Sequence, residues 1–142
     1  MPFSTDADLK YIADGIRSHT LPKSEWTHAA HFAAALWLFE DPNCDPFNDM
    51  PGIIRAYNLA TGTPNSDDEG YHETITIASL RASEHVLKTR VHGMPLHEVL
   101  ATLLSGPYGR SQWLLEYWSK SVLFSVKARR TWVDPDLKAL PF

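Results

Sequence analysis

Three histidines and one glutamate carry most of the chemistry this sequence can offer. Trp26-Thr27-His28-Ala29-Ala30-His31 sets two imidazoles three residues apart, and residues at that spacing share one face of a helix. The pair falls in the first turns of its helix, where the positive end of the dipole disfavours an imidazolium and keeps the ring neutral. A neutral imidazole is what a metal ion or a general base requires. Small alanines around the pair leave room for a ligand or a partner helix. The competing reading is two polar core residues hydrogen-bonded to neighbouring helices, and the spacing alone does not choose.

A second run, Gly70-Tyr71-His72-Glu73-Thr74-Ile75-Thr76, opens a later helix. His72 lies three residues before Ile75 and continues the inward stripe, so it belongs to the interior. Glu73 lies one position round, on the flank with Thr76 and Leu80. A bundle completes a three-histidine cluster by bringing such a residue from another helix. Glu73 is then a fourth ligand, a partner behind a ligand, or a base acting on metal-bound water. Its alternative is a first-turn carboxylate in solvent. His97-Glu98 repeats the dipeptide at the start of another helix, where solvent exposure is expected. Arg55, Tyr57 and Asn58 can point at the same cavity, although Asn58 reads slightly better as a hydrogen-bonder at a helix end.

Several classes are excluded or disfavoured. The chain has 142 residues, 13 Lys and Arg against 17 Asp and Glu, and a net charge of −4. Without a basic block, a nucleic acid or an anionic membrane is not an expected partner. Cys44 is the one cysteine, which removes an internal disulfide, a Cys-based zinc site and an iron–sulfur cluster. It sits in a loop rich in proline and aspartate, which raises its pKa and argues against a thiolate nucleophile. No His-Asp dipeptide, HExxH, GxSxG, GxGxxG or P-loop occurs. The start, Met1-Pro2-Phe3-Ser4-Thr5-Asp6, lacks a basic segment followed by an apolar run, so no secretory signal is expected and the expected location is cytoplasmic.

The elements that must position these residues read as helices. Leu9, Ile12, Ala13 and Ile16 predict a first helix over Asp6 to Arg17, with Thr5 as its cap. A second, apolar on almost every side and therefore central, is expected from Glu25 to about Glu40, capped by Ser24. Three prolines make Asp41 to Gly52 irregular, and a third helix is expected from near Asp49 to Thr61-Gly62. After a polar loop, Thr61 to Gly70, a long fourth helix is predicted from Tyr71 to about Arg90. That loop is expected at the mouth of the site, easy to move, with its acids in solvent. A fifth helix follows over Pro95 to Leu104, a sixth is capped by Ser111, and a short piece spans Val126 to Trp132. The last residues should be extended, with Leu137, Leu140 and Phe142 packed on the bundle. The expectation is a single all-α domain over residues 1–142, a bundle of about five to six helices with an extended C-terminal tail.

The runs WTHAAH, RAYN, GYHETIT and the tail WVDPDLKALPF together resemble a family of small uncharacterised bacterial proteins of about this size. The resemblance covers nearly the whole chain. It implies that His28, His31, His72 and Glu73 belong together, and it implies no activity. More loosely, the histidine arrangement is similar in architecture to metal-binding helical bundles of the DinB type. Their helix-borne histidine pair at i, i+4 is not reproduced here.

The leading expectation is a divalent-metal site, with His28, His31 and His72 as ligands and Glu73 as fourth ligand or catalytic base. Zn, Fe, Ni and Mn all suit such donors. Hydrolysis of a small polar molecule by metal-activated water is the simplest chemistry for it. The alternative is a metal-free site for small-molecule binding or acid–base catalysis, with Arg55 and Tyr71 holding an anionic ligand. A non-enzymatic interaction module is the third reading, and a homo-oligomer is left open.

Overall fold

In a computed structural model, which describes residues 3–142, the chain is all-helical, with no strand among the described residues. Met1-Pro2, part of the stretch read for a secretory signal, lies outside them. The helices are α1 (Asp6–Ser18), α2 (His28–Glu40), α3 (Pro46–Ala60), α4 (Glu73–Thr89), α5 (Leu96–Ser105), α6 (Lys120–Leu123) and α7 (Val126–Arg130). Short 3-10 turns fill Lys23–Glu25, Pro107–Gly109 and Ser111–Glu116. Among the described residues, no helix is long and apolar enough to cross a membrane.

The centre is α2. Its residues Ala30, Phe32, Ala33, Ala34, Leu36 and Leu38 are buried with almost no exposure, as expected of a helix without a polar face. It packs most extensively on α1 and also meets α3, α4 and α5. From α1, Leu9, Ile12, Ala13 and Ile16 are fully buried on the predicted stripe. From α5 come Leu96, Val99, Leu100 and Leu103. One continuous apolar core joins them to Trp113, Leu114, Tyr117 and Trp118.

Boundaries depart from expectation where local hydrogen bonding wins. Pro22 opens a 3-10 turn, with the Glu25 N–H donating to Pro22 O, so Ser24 caps nothing. The cap of α2 is Thr27, whose hydroxyl accepts from the Ala30 N–H at 3.2 Å. The third helix starts earlier than Asp49, at Pro46, whose fixed φ suits a first helical position. Pro51 therefore stands inside α3. The sixth helix expected after Ser111 is a six-residue 3-10 segment that Ser111 does not cap, and α6 follows it. Gly109 explains part of this geometry: a Cβ there would lie 1.9 Å from Leu104 O, so only glycine lets the chain fold back so closely on α5. The tail is extended, and Phe142 stacks against His85 at 5.4 Å. Leu137 was expected to pack and instead is 57% exposed, its backbone N–H held by Tyr117 O.

Candidate functional site

The N-terminal ends of α2 and α4 meet a cavity of about 610 Å³ with a mostly apolar wall. Phe32, Ile54, Ile75, Leu80 and Leu114 supply apolar surface. His28, His31 and His72 all line it, so the structure brings the three expected histidines to one space. Their ring nitrogens are not equally free.

His72 is the N-cap of α4. Its Nδ1 accepts from the Ile75 N–H at 3.1 Å, and its Nε2–H donates to Leu123 O at 2.7 Å. That pattern fixes one neutral tautomer and leaves no lone pair for a ligand. Burial holds its pKa below the ordinary value, with Arg129 nearby adding to the effect. Ligation through His72 would have to displace one of these two bonds. His28 donates Nε2–H to Tyr108 O at 2.8 Å and packs edge-on to Phe32. Its Nδ1 has no protein partner.

His31 likewise keeps one ring nitrogen free. Its Nδ1–H donates to Thr27 O at 2.7 Å, which assigns the lone pair to Nε2. The ring stacks on Trp26 with centroids 3.7 Å apart. Burial among protein atoms pushes its pKa down to about 4, and the neighbouring His28 and Lys23 act in the same direction. At neutral pH it is an uncharged acceptor of fixed tautomer.

Glu73 is half-buried in the first turn of α4, and its Oε1 accepts from the Tyr71 hydroxyl at 2.5 Å. It does not line the cavity. Among the described residues, no group of three or more His, Cys, Asp and Glu side chains is gathered as a metal ion would require. The ring of Tyr71 does line the cavity. Arg55 does not; it is exposed and stacks its guanidinium on the Tyr71 ring at 4.3 Å. His97 departs from its expected exposure, because its ring and backbone N–H both meet Asp6. Cys44 follows expectation, with burial first and Asp49 second raising its pKa to about 11.

Two cations that the spacing did not single out also line the cavity, Lys23 and Arg129. A chain of hydrogen bonds ties them along one rim. Lys23 Nζ donates to Asn58 Oδ1 at 3.4 Å, and Asn58 Nδ2 donates to Asn65 Oδ1 at 3.0 Å. The same oxygen accepts from the Tyr71 N–H at 3.1 Å, and Arg129 Nη1 donates to Tyr71 O and Gly70 O. Asn58 is thus a helix-end hydrogen-bonder and part of the wall as well. This chain threads the Thr61–Gly70 loop, whose Thr63 and Gly70 line the cavity while Asp67, Asp68 and Glu69 are exposed. The loop is fastened rather than loose. At Gly70, φ is +83° and a Cβ would lie 2.3 Å from Pro64 O, so no other residue closes the turn without strain.

Trp113 also lines the cavity, and its buried indole N–H finds no acceptor. An unmet donor of this kind costs about 1–3 kcal/mol. Comparison with protein-family models, with curated proteins and with solved structures finds no match to this chain.

Proposed function

We propose that the protein binds a small organic molecule in this cavity, with His31 Nε2 as the acceptor that orients it. The observation that carries this reading is a space of about 610 Å³, mostly apolar, into which one half-covered imidazole presents an unused lone pair. Ligand sites have this make-up: apolar walls for affinity and a few convergent polar groups for orientation. The neutral imidazole accepts a hydrogen from an O–H or N–H of the ligand. Its low pKa makes it a weak base, so orientation is a better use of it than proton abstraction.

Phenylnaphthylamine, a neutral aromatic amine whose fluorescence rises in apolar surroundings, tests the reading directly. Saturable one-to-one binding is expected, and it should be lost in Thr76→Trp, which places an indole in the space from α4. Binding of the same strength in that variant would place the dye elsewhere and overturn the proposal.

A metal ion is the second reading, favoured by one observation. His28 Nδ1 and His31 Nε2 are both without protein partners, on residues lining the same cavity. The two would offer two nitrogens to Zn²⁺ or a similar ion, whose remaining positions would fall to water or to the ligand itself. Metal analysis of protein purified without an affinity tag should then find stoichiometric metal, and His31→Ala should remove it. Trace metal indifferent to that substitution would sink this second reading.

A further inference from the structure

The charge of the wall is out of step with the charge of the chain. Acids outnumber Lys and Arg by 17 to 13 overall, yet no Asp or Glu lines the cavity while Lys23 and Arg129 both do. Neither cation has a carboxylate within ion-pair distance among the described residues. Arg129 is half-buried and commits Nη1 to two backbone carbonyls, which fixes the guanidinium plane and leaves Nε and Nη2 without protein partners. Lys23 makes only long bonds, both at 3.4 Å, to Asn58 and Thr61. Two unneutralised cations set along one rim by a shared hydrogen-bond chain form a receptor for negative charge.

From these two cations and the apolar lining, we infer that the ligand is an organic anion. It has an apolar, flat body and a carboxylate- or sulfonate-like group directed to the rim that carries Lys23 and Arg129. An O–H or N–H on the body meets His31 Nε2. The body packs among Phe32, Ile54 and Ile75, beside the Trp26–His31 stack. This inference rests on the small-molecule reading above and adds the sign of the ligand's charge and the place where it is met. The three lining histidines supply no positive charge at neutral pH through His31 or His72, whose protonation burial opposes. Lys23 and Arg129, charged across the whole physiological range, carry the recognition of the anion.

A matched pair of probes separates the two statements. Anilinonaphthalene sulfonate and phenylnaphthylamine share one skeleton and differ by the sulfonate. The sulfonate dye is expected to bind at least about tenfold more tightly, the worth of one good charge-assisted hydrogen bond. Lys23→Gln and Arg129→Gln should each shrink that affinity ratio by about tenfold. Arg129→Lys should retain part of it. Lys23 is exposed, so its variant reads the effect even if replacing Arg129 disturbs the fold. Equal affinity for the two dyes, or a ratio unmoved in Lys23→Gln, overturns the anion inference while leaving the cavity reading intact. Failure of both dyes to bind, or binding of both that survives Thr76→Trp, overturns the two together.

Discussion

At the N-terminal end of α4, His72 uses both ring nitrogens, one on the Ile75 N–H and one on Leu123 O. At the N-terminal end of α2, His31, which lines the cavity, uses one, on Thr27 O, and leaves the other without a protein partner. Both rings are kept neutral by burial. The same residue type at the same kind of helix end thus does two jobs. His72 pins α6 to α4 and belongs to the fold, whereas His31 is held in place and left available. The two faces of α2 repeat the contrast. One packs on α1, and the other, through His28, His31, Phe32 and Ala35, lines the cavity. A histidine's chemical role follows from how many of its lone pairs and protons the protein consumes, not from its position on a helix.

The contrast between packed and open faces predicts the largest effect. Ile12→Ala, in the sealed α1–α2 interface, should cost about 2–5 kcal/mol in chemical denaturation. Ile75→Ala, on the cavity wall, should cost no more than about half of that, since its side chain already lacks contacts on one side. Equal losses would mean that the cavity closes up in solution.

Next comes the histidine pair itself. His72→Ala removes a cap and a cross-helix bond together and should destabilise by about 1–3 kcal/mol. His72→Asn should recover part of the loss through the cap alone. His31→Ala should cost less than His72→Ala, and if the order reverses, the division of labour drawn here is wrong.

Acidification sharpens the same comparison. The folded pKa of His31 lies at about 4, below its ordinary 6.5. As pH falls through 6.5 the unfolded chain takes up a proton that the folded chain refuses, so stability is complete above that range and declines toward pH 4. His72 acts in the same sense. Urea midpoints measured at steps from pH 7.5 down to 4 should fall, and His31→Gln should flatten the decline. A slope unaltered by that substitution would show that His31 is not held neutral.

The smallest effect belongs to the acids of the Thr61–Gly70 loop. Asp67 forms a forked ion pair with Arg130 at 2.8 Å, exposed on both sides. Asp67→Asn should change stability by less than about 1 kcal/mol, and less still in high salt. The loop's hold on the cavity rests on Asn65 instead.

Local pattern made much of this legible. The stripes of α1, α4 and α5, the apolar girth of α2, and the pairing of His28 with His31 all follow from spacing within one helix. Boundaries were harder to read: Ser24 was the expected cap of the second helix, but the 3-10 turn that Pro22 opens absorbs it, and Thr27 caps α2 instead. The character of the site was not legible. The tautomer of His28 depends on Tyr108 O, 80 residues away, and that of His72 on Leu123 O, 51 residues away. Arg129 reaches the rim across 58 residues to Tyr71. No periodicity carries such information, and basic residues in a short helix near the C-terminus look like any solvated face.

The stack of Trp26 on His31 has an optical consequence. Of the five tryptophans, Trp26 and Trp113 line the cavity, and Trp26 shares van der Waals contact with the His31 ring. An indole pressed against an imidazole senses that ring's protonation and any polar group placed beside it, so its emission changes with both. The cavity is therefore built around its own fluorophore, and occupancy can be followed on the unlabelled chain by the light Trp26 gives back.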